Sequence, residues 1–318
     1  MNKAYVILPD VTCDLSKEIC ERYDIETISG HVKYPNGREE LTTLDWDDCS
    51  FIMEPTAEEF YTKLRRKPTG FTTAPASAYE YYNAFENYVK QGYGILSMSM
   101  SSKMSGTYNF ATQAKNMILE KYPAAEIRCF DSMRFGAGFG LMAIWASDLR
   151  REGKTLDEVV KLLEDNKTRF HQASCLDDFS FLRKKGRISR SNAFFSALVG
   201  TKSLGEFNSQ GVTTVIGKAI GGRSAYTAII QYIDQTIESP DEQAIIIANS
   251  NRRWQAEVLR GLIEAKFHPK EIYVTDIYPA CGINVGPGLT AVYYAGKPLS
   301  EDLTEEKELM SDILRGKS

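Results

Sequence analysis

Between residues 97 and 107 the chain reads SMSMSSKMSGT, which places Ser101, Ser102, Ser105 and Thr107 where a strand is expected to end and a helix to begin. Hydroxyls at such an edge can donate to a carboxylate or phosphate, and the free N–H groups of the helix N-terminus stabilise the same oxygens. The same residue types also serve as ordinary helix caps. A second hydroxyl pair, Thr72 and Thr73, stands in TTAPA (72–76) ahead of another expected helix, which Pro75 could help start. In CGINVGPG (281–288), three glycines and a proline allow close backbone approach to a ligand or simply a tight turn. FLRKKGRISR (181–190) clusters Arg183, Lys184, Lys185, Arg187 and Arg190, either as a solvated helix end or as a contact for phosphate or an acidic partner.

None of these hydroxyls comes with an evident base. The three histidines, His31, His171 and His268, are isolated from one another, and no spacing directs His171 or His268 toward Ser101. A stand-alone phosphotransferase or acyltransferase that uses the serine loop as nucleophile is one reading of these residues but needs such a base, and a regulatory or scaffolding protein is another. Asp10, after the first expected strand, is either a catalytic or metal-binding carboxylate or the cap of a helix beginning near Ser16. Six cysteines without a C-x-x-C pair, together with scattered histidines, give no metal-site pattern. GAGFG (136–140) fails the G-x-G-x-x-G spacing and has no following Walker lysine, and its glycines can equally permit close helix packing.

The elements that must position these loops alternate in type. Strands are expected at 5–8, 26–32, 94–98 and 126–130, with helices at 16–23, 57–66, 78–90 and 107–121. Thr155 and Glu158 have capping-box spacing for a helix running to about Lys167. Beyond a junction at 165–175, strands at 211–218, 244–248 and 272–276 alternate with helices at 224–236 and 251–266, and a charged surface helix is expected in the tail from Ser300. The fold class is α/β, with domains expected at 1–167 and 168–318 and segments near 55–80 free to pack with the second. A chain of 318 residues is about twice the ~150-residue prior for one domain. Its net charge of -4 offers no general attraction to nucleic acid or an anionic membrane. The longest uncharged apolar stretch, 135–146, is too short for a membrane span of roughly 20 residues. The first apolar run is too short for a signal peptide, so the chain is expected in the cytoplasm.

Taken in order, DVTCDL (10–15), TTAPA (72–76), SSKMSGTY (101–108), Asp131-Ser132, FLRKKGRI (181–188) and GPG (286–288) resemble the DegV family of bacterial fatty-acid-binding proteins, the carrier subunits of fatty acid kinase. The resemblance spans nearly the whole chain. The corresponding family patterns are D-S-T-x-D-L, T-S-Q-P-S, S-S-G-L-S-G-T-Y, L-K-K-G-G-R-I and H-x-G-P-G. The resemblance implies an N-terminal domain with a mainly parallel sheet, a C-terminal α/β domain with a mixed sheet, and a long-chain fatty acid between them. It implies that Thr72, Thr73, Ser101 and Ser102 hold the carboxylate, with backbone from Ser105, Gly106 and Thr107 and the segment at Asn284 and Gly286. Asn284 stands where the family has histidine; an amide can donate a hydrogen bond but carries no imidazolium charge. Lys103, Lys185, Ala74 and Ala76 are further departures from the family patterns. The implied partner is a fatty acid kinase subunit that phosphorylates the bound carboxyl group, with Lys185 and Arg187 facing that partner or the acyl phosphate. No catalytic residue, cofactor, metal, nucleic acid or stable membrane insertion is implied. Burial of ~14 methylenes at ~0.8 kcal/mol each would supply roughly 11 kcal/mol before ordering costs.

Overall fold

The computed structural model describes residues 4–47, 56–177, 180–187 and 200–316. In the first half, β1 (Tyr5–Pro9) leads through a 3-10 turn (Val11–Cys13) into α1 (Lys17–Tyr23), followed by β2 (His31–Lys33), β3 (Glu39–Leu41), α2 (Ala57–Arg66), β4 (Thr72–Ala74) and α3 (Ala78–Lys90). Then come β5 (Gly94–Ser99), α4 (Thr107–Lys121), β6 (Ile127–Asp131), α5 (Ala137–Arg151) and α6 (Leu156–Asn166). The second half runs β7 (Phe170–Leu176), α7 (Ser180–Lys184), β8 (Thr201–Phe207), β9 (Thr213–Ile220), α8 (Gly222–Thr236), β10 (Ala244–Asn249) and α9 (Arg253–Phe267). It ends with β11 (Glu271–Asp276), α10 (Pro279–Val285), β12 (Leu289–Ala295) and α11 (Thr304–Leu314).

Three sheets organise these elements. A parallel sheet has the order β1-β5-β6, and its central strand β5 is buried along its whole length, as the middle of a covered parallel sheet must be. A mixed sheet has the order β11-β10-β12-β7-β8-β9, parallel only between β10 and β11. A small antiparallel sheet, β3-β2-β4, carries the threonine pair. Hydroxyls of Ser16, Thr56, Ser77 and Thr155 cap α1, α2, α3 and α6, each accepting from a first-turn N–H.

Helix α5 lies between the parallel and mixed sheets, in one apolar core that runs from Ile7, Leu96 and Phe130 to Ile247 and Val292. Its glycines permit that placement. A Cβ at Gly138 would sit 2.7 Å from the Phe207 ring, and one at Gly140 would sit 2.5 Å from the Cys13 carbonyl oxygen. GAGFG is thus a close-packing segment. In the mixed sheet, His171 Nδ1 lies 2.9 Å from Glu206 Oε2 and its Nε2 lies 2.7 Å from the Lys297 carbonyl. The same carboxyl group accepts from the Phe207 N–H and the Tyr232 hydroxyl, so a fully buried polar group has its hydrogen-bond partners.

Several expectations are corrected. The stretch 26–32 is not one strand: Ile25 and Ile28 make single bridges to Ile7 and Asp10, and pairing resumes only at His31. Residues 72–74 form a strand rather than a loop, and α3 is started by the Ser77–Glu80 capping box rather than by Pro75. Residues 281–285 are helical, with the turn confined to Gly286-Pro287-Gly288. The surface helix expected in the tail is present as α11, whose inner face buries Met310 and Ile313, with Met310 seated over Gly217 of β9. Strands β7, β8 and β12 were not expected. Cys49 lies outside the described residues, and the five described cysteines are free. Among the described residues, no His, Cys, Asp or Glu cluster could hold a metal ion, and no helix is long and apolar enough to cross a membrane.

Replacing Gly140 by alanine tests the packing of α5. Helix propensity alone favours alanine by ~1 kcal/mol, whereas overpacking against a fixed carbonyl costs about 1–3 kcal/mol. G140A should therefore lower the denaturation midpoint, and a raised midpoint would show that α5 is not held this tightly.

Candidate functional site

The carboxyl ends of β1 and β5 and the start of α4 converge on one cavity. Asp10, at the end of β1, is 5% exposed and turns its carboxylate inward. Its Oδ1 accepts from the Thr12 N–H at 2.9 Å and from the Thr12 hydroxyl, and its Oδ2 accepts from the Met100 N–H at 2.9 Å. Burial raises its pKa, and these three hydrogen bonds oppose that rise. Asp10 thus caps the 3-10 turn and ties it to the loop after β5. The helix at Lys17 is capped by Ser16, so the cap expected of Asp10 falls one element earlier.

In the serine loop, Ser101 and Ser102 serve the loop itself. Ser101 is fully buried; its N–H donates to the Arg134 carbonyl at 2.7 Å, and its carbonyl accepts from Met104 and Ser105. The Ser102 N–H donates to Asp131 Oδ1 at 3.1 Å. Neither side chain lines the cavity, whereas Ser105, Gly106 and Thr107 do. The Ser105 and Thr107 hydroxyls lie 2.7 Å apart, and the Thr107 N–H donates to Ser105 Oγ at 3.3 Å. Gly106 at the N-cap offers no side-chain acceptor to this 15-residue helix, so the helix presents its positive end to the cavity.

Strand alternation separates the threonines. Thr73 faces the cavity, while Thr72 is exposed and does not line it. Asn284, on α10, donates through Nδ2 to Thr73 Oγ1 at 3.1 Å and to the Ala280 carbonyl at 3.3 Å. Both amide hydrogens are thereby used, so Asn284 acts through Thr73. With its oxygen already accepting, Thr73 keeps its own O–H to donate. Gly286 ends α10 at φ 76°, where a Cβ would collide with the Phe181 ring, and it lies off the cavity. Lys185 donates to the Phe71 carbonyl at 2.7 Å and so braces the strand that carries Thr73; burial, then the neighbouring Arg187, lowers its pKa. Arg187 is exposed at the cavity rim. Ile188 and Arg190 of the basic segment lie outside the described residues.

The resulting cavity has a volume of about 170 Å³. Its apolar wall comes from Ile28, Met100, Met104, Phe135, Leu182 and Val285. The cavity also takes in Asp10, which the sequence offers as a catalytic or metal-binding carboxylate or as a cap, and Thr12, His31, Thr42 and Cys281, which sequence reasoning did not assign to the site. The DVTCDL segment carried the signal for the first two. His31 and Thr42 are placed by short strand pairings, and Cys281 by the unforeseen α10. The donors at hand are the Thr73 hydroxyl, the α4 N-terminus and the Arg187 guanidinium, which suit an anionic head group. Burial pushes the Cys281 thiol well above its usual pKa, and its Sγ–H donates to the Thr12 carbonyl at 3.4 Å, a poor setting for a nucleophile. His171 is committed to the Glu206 network, and His268 ends α9. Neither stands among the residues that line the cavity.

Comparison with known proteins agrees with this architecture. The DegV family model, described as "Uncharacterised protein, DegV family", matches residues 4–297. A DegV domain-containing protein of Clostridium perfringens is 32% identical over 294 residues, covering 92% of this chain and 98% of the relative. Among solved structures, a DegV family protein from Thermus thermophilus, described for its fatty acid binding, has a TM-score of 0.80 at 22% identity and covers 93% of this chain and 100% of its own. DegV of Bacillus subtilis, described as a fatty acid binding protein, gives 0.78 at 22% identity with the same coverage. A stearic-acid-binding protein from Eubacterium ventriosum gives 0.79 at 20% identity and covers 92% and 98%. With its parallel and mixed sheets, its ordered loop motifs and a match over nearly its full length, the chain belongs to the DegV family.

Proposed function

We propose that this protein binds a long-chain fatty acid between its halves, 1–167 and 168–318, and presents the carboxylate to a fatty acid kinase subunit for acyl phosphate formation. The observation that carries the reading is that the Thr73 hydroxyl, held by Asn284, and the N-terminus of α4 line one cavity together with an apolar wall. A carboxylate there would accept from Thr73 and from the free N–H groups in the first turn of α4, offsetting its desolvation. The alkyl chain would lie against Ile28, Met100, Met104, Phe135 and Val285 and supply most of the affinity. Methionines suit such a wall because their flexible thioethers adapt to different chains.

In this reading, Ser101 and Ser102 shape the loop that presents Ser105 to Thr107, and Thr72 stays on the outer face. Gly286 lets Phe181 close against α10, and Lys185 braces the threonine strand. Arg187 at the rim is the cation available to an acyl phosphate or to the kinase. The protein acts as a carrier in the cytoplasm, without a cofactor or catalytic residue of its own. Titratable groups at the cavity are buried carboxyl or thiol, or are engaged by partners, so they do not activate a nucleophile.

Two variants test the head-group geometry. T73V removes the donor while keeping the shape, and palmitate affinity measured by calorimetry should fall about tenfold or more, the loss expected for a hydrogen bond to a charged group. Equal affinity would remove Thr73 from the site. Asn284→His restores a side chain that can carry charge, so it should bind palmitate more tightly, with a larger gain at about pH 6 than at about pH 8. Unchanged affinity at both would show that position 284 contributes little.

A further inference from the structure

One side chain joins the small antiparallel sheet to α3 at the cavity lip. His31 lines the cavity, with Nδ1 3.3 Å from Glu39 Oε1 on β3 and Nε2 2.9 Å from Glu80 Oε1 on α3. A neutral imidazole has one N–H and one lone pair, so it could serve one carboxylate only while turning a lone pair toward the other. The imidazolium donates to Glu80 and forms an ion pair with Glu39. On its own strand, Lys33 lies two residues along the same face and pairs in register with Glu39, while β4 places Ala74 opposite His31. The charged groups facing the ring are therefore Glu39 and Glu80, with Lys33 as the like-charged neighbour.

This contact reaches the head-group end of the cavity. Strand register sets Val32 opposite Thr73, so whatever holds β2 also holds the strand that carries the Thr73 hydroxyl. The other Glu80 oxygen, Oε2, accepts from the Ser77 N–H at 2.8 Å and from the Ser77 hydroxyl at 2.7 Å, closing the capping box four residues after Thr73. Burial acts to raise the Glu80 pKa, but the Ser77 and His31 contacts outweigh it and hold the carboxyl below its usual value. The segment from Thr73 to Ser77, whose Ala74, Pro75 and Ala76 also line the cavity, is thus fastened at one end by strand pairing and at the other by Glu80. His31 spans the two.

Building on the fatty acid reading, we propose that His31 is a positioning residue. Its protonation locks the Thr73 strand against α3 and tightens ligand binding, and loss of the proton loosens the head-group end. Affinity then falls as pH rises and the imidazolium is lost.

Palmitate affinity measured from about pH 5.5 to 8 on the wild type, H31N and H31R, each checked for folding by circular dichroism, tests this. The wild type should weaken about fivefold across the range, the scale of a partly exposed ion pair. H31N should be weak and flat, and H31R, with a permanent cation that can reach both carboxylates, should be tight and flat. Parallel pH profiles for the wild type and H31N would overturn the proposal while leaving fatty acid binding intact. Absence of palmitate binding by the wild type at every pH would instead overturn the ligand reading, and this proposal with it. Should H31N fail to fold, H31R decides: a profile as steep as that of the wild type contradicts the role given to His31.

Discussion

Helix α5 is buried along eleven of its fifteen residues because two sheets share it as their common core. Most helices in α/β proteins keep a solvent face, and this one can dispense with it only where glycine lets Phe207 on one side and the Cys13 backbone on the other come close. The consequence is geometric. Neither sheet can shift without disturbing the other, so residues more than 200 positions apart are held in one site. A second tie reinforces the first: buried Asp14 accepts from the Tyr278 N–H at 3.0 Å, and the Thr275 hydroxyl donates to the Asp14 carbonyl at 2.9 Å. These bonds fasten the turn after β1 to the start of α10, which is how Asn284 comes to meet Thr73.

The site so fixed is rich in donors and poor in bases. A hydroxyl, a helix N-terminus and one rim guanidinium can hold an anion, but the nearby carboxylates are occupied by backbone and side-chain donors and the one lining thiol is raised in pKa. That balance suits retention of an anionic ligand. Asn284 spends both amide hydrogens on Thr73 and Ala280, so it acts by orienting a neighbouring hydroxyl.

Helices were the most legible part of the fold. Helices α2 and α4 occupy the expected 57–66 and 107–121, since caps and apolar spacing are local properties of the chain. Strands β7 and β8 were hidden because their polar residues look unsuited to a core. Gln172 and Ser174 of β7 find partners in Thr213 and Gly205, and Glu206 of β8 finds His171, none of them near in sequence. At the site, Thr73, Ser105, Gly106, Thr107, Asn284 and Arg187 were named from the ordered motifs and do meet at one cavity. Facing was what the motifs lacked. Thr72 and Thr73 differ only by strand alternation, and Ser101 differs from Ser105 by which end of a turn it closes. His31 escaped notice because its meaning depends on two carboxylates brought in by β3 and α3.

The most direct measurement is a crystal structure of the protein with palmitate. The carboxylate is expected within hydrogen-bond distance of Thr73 Oγ1 and the free N–H groups in the first turn of α4, with the alkyl chain against Phe135 and Val285. A well-ordered fatty acid seated instead in the cavity at the opposite end of α5, beside Trp145 and Phe170, would contradict it.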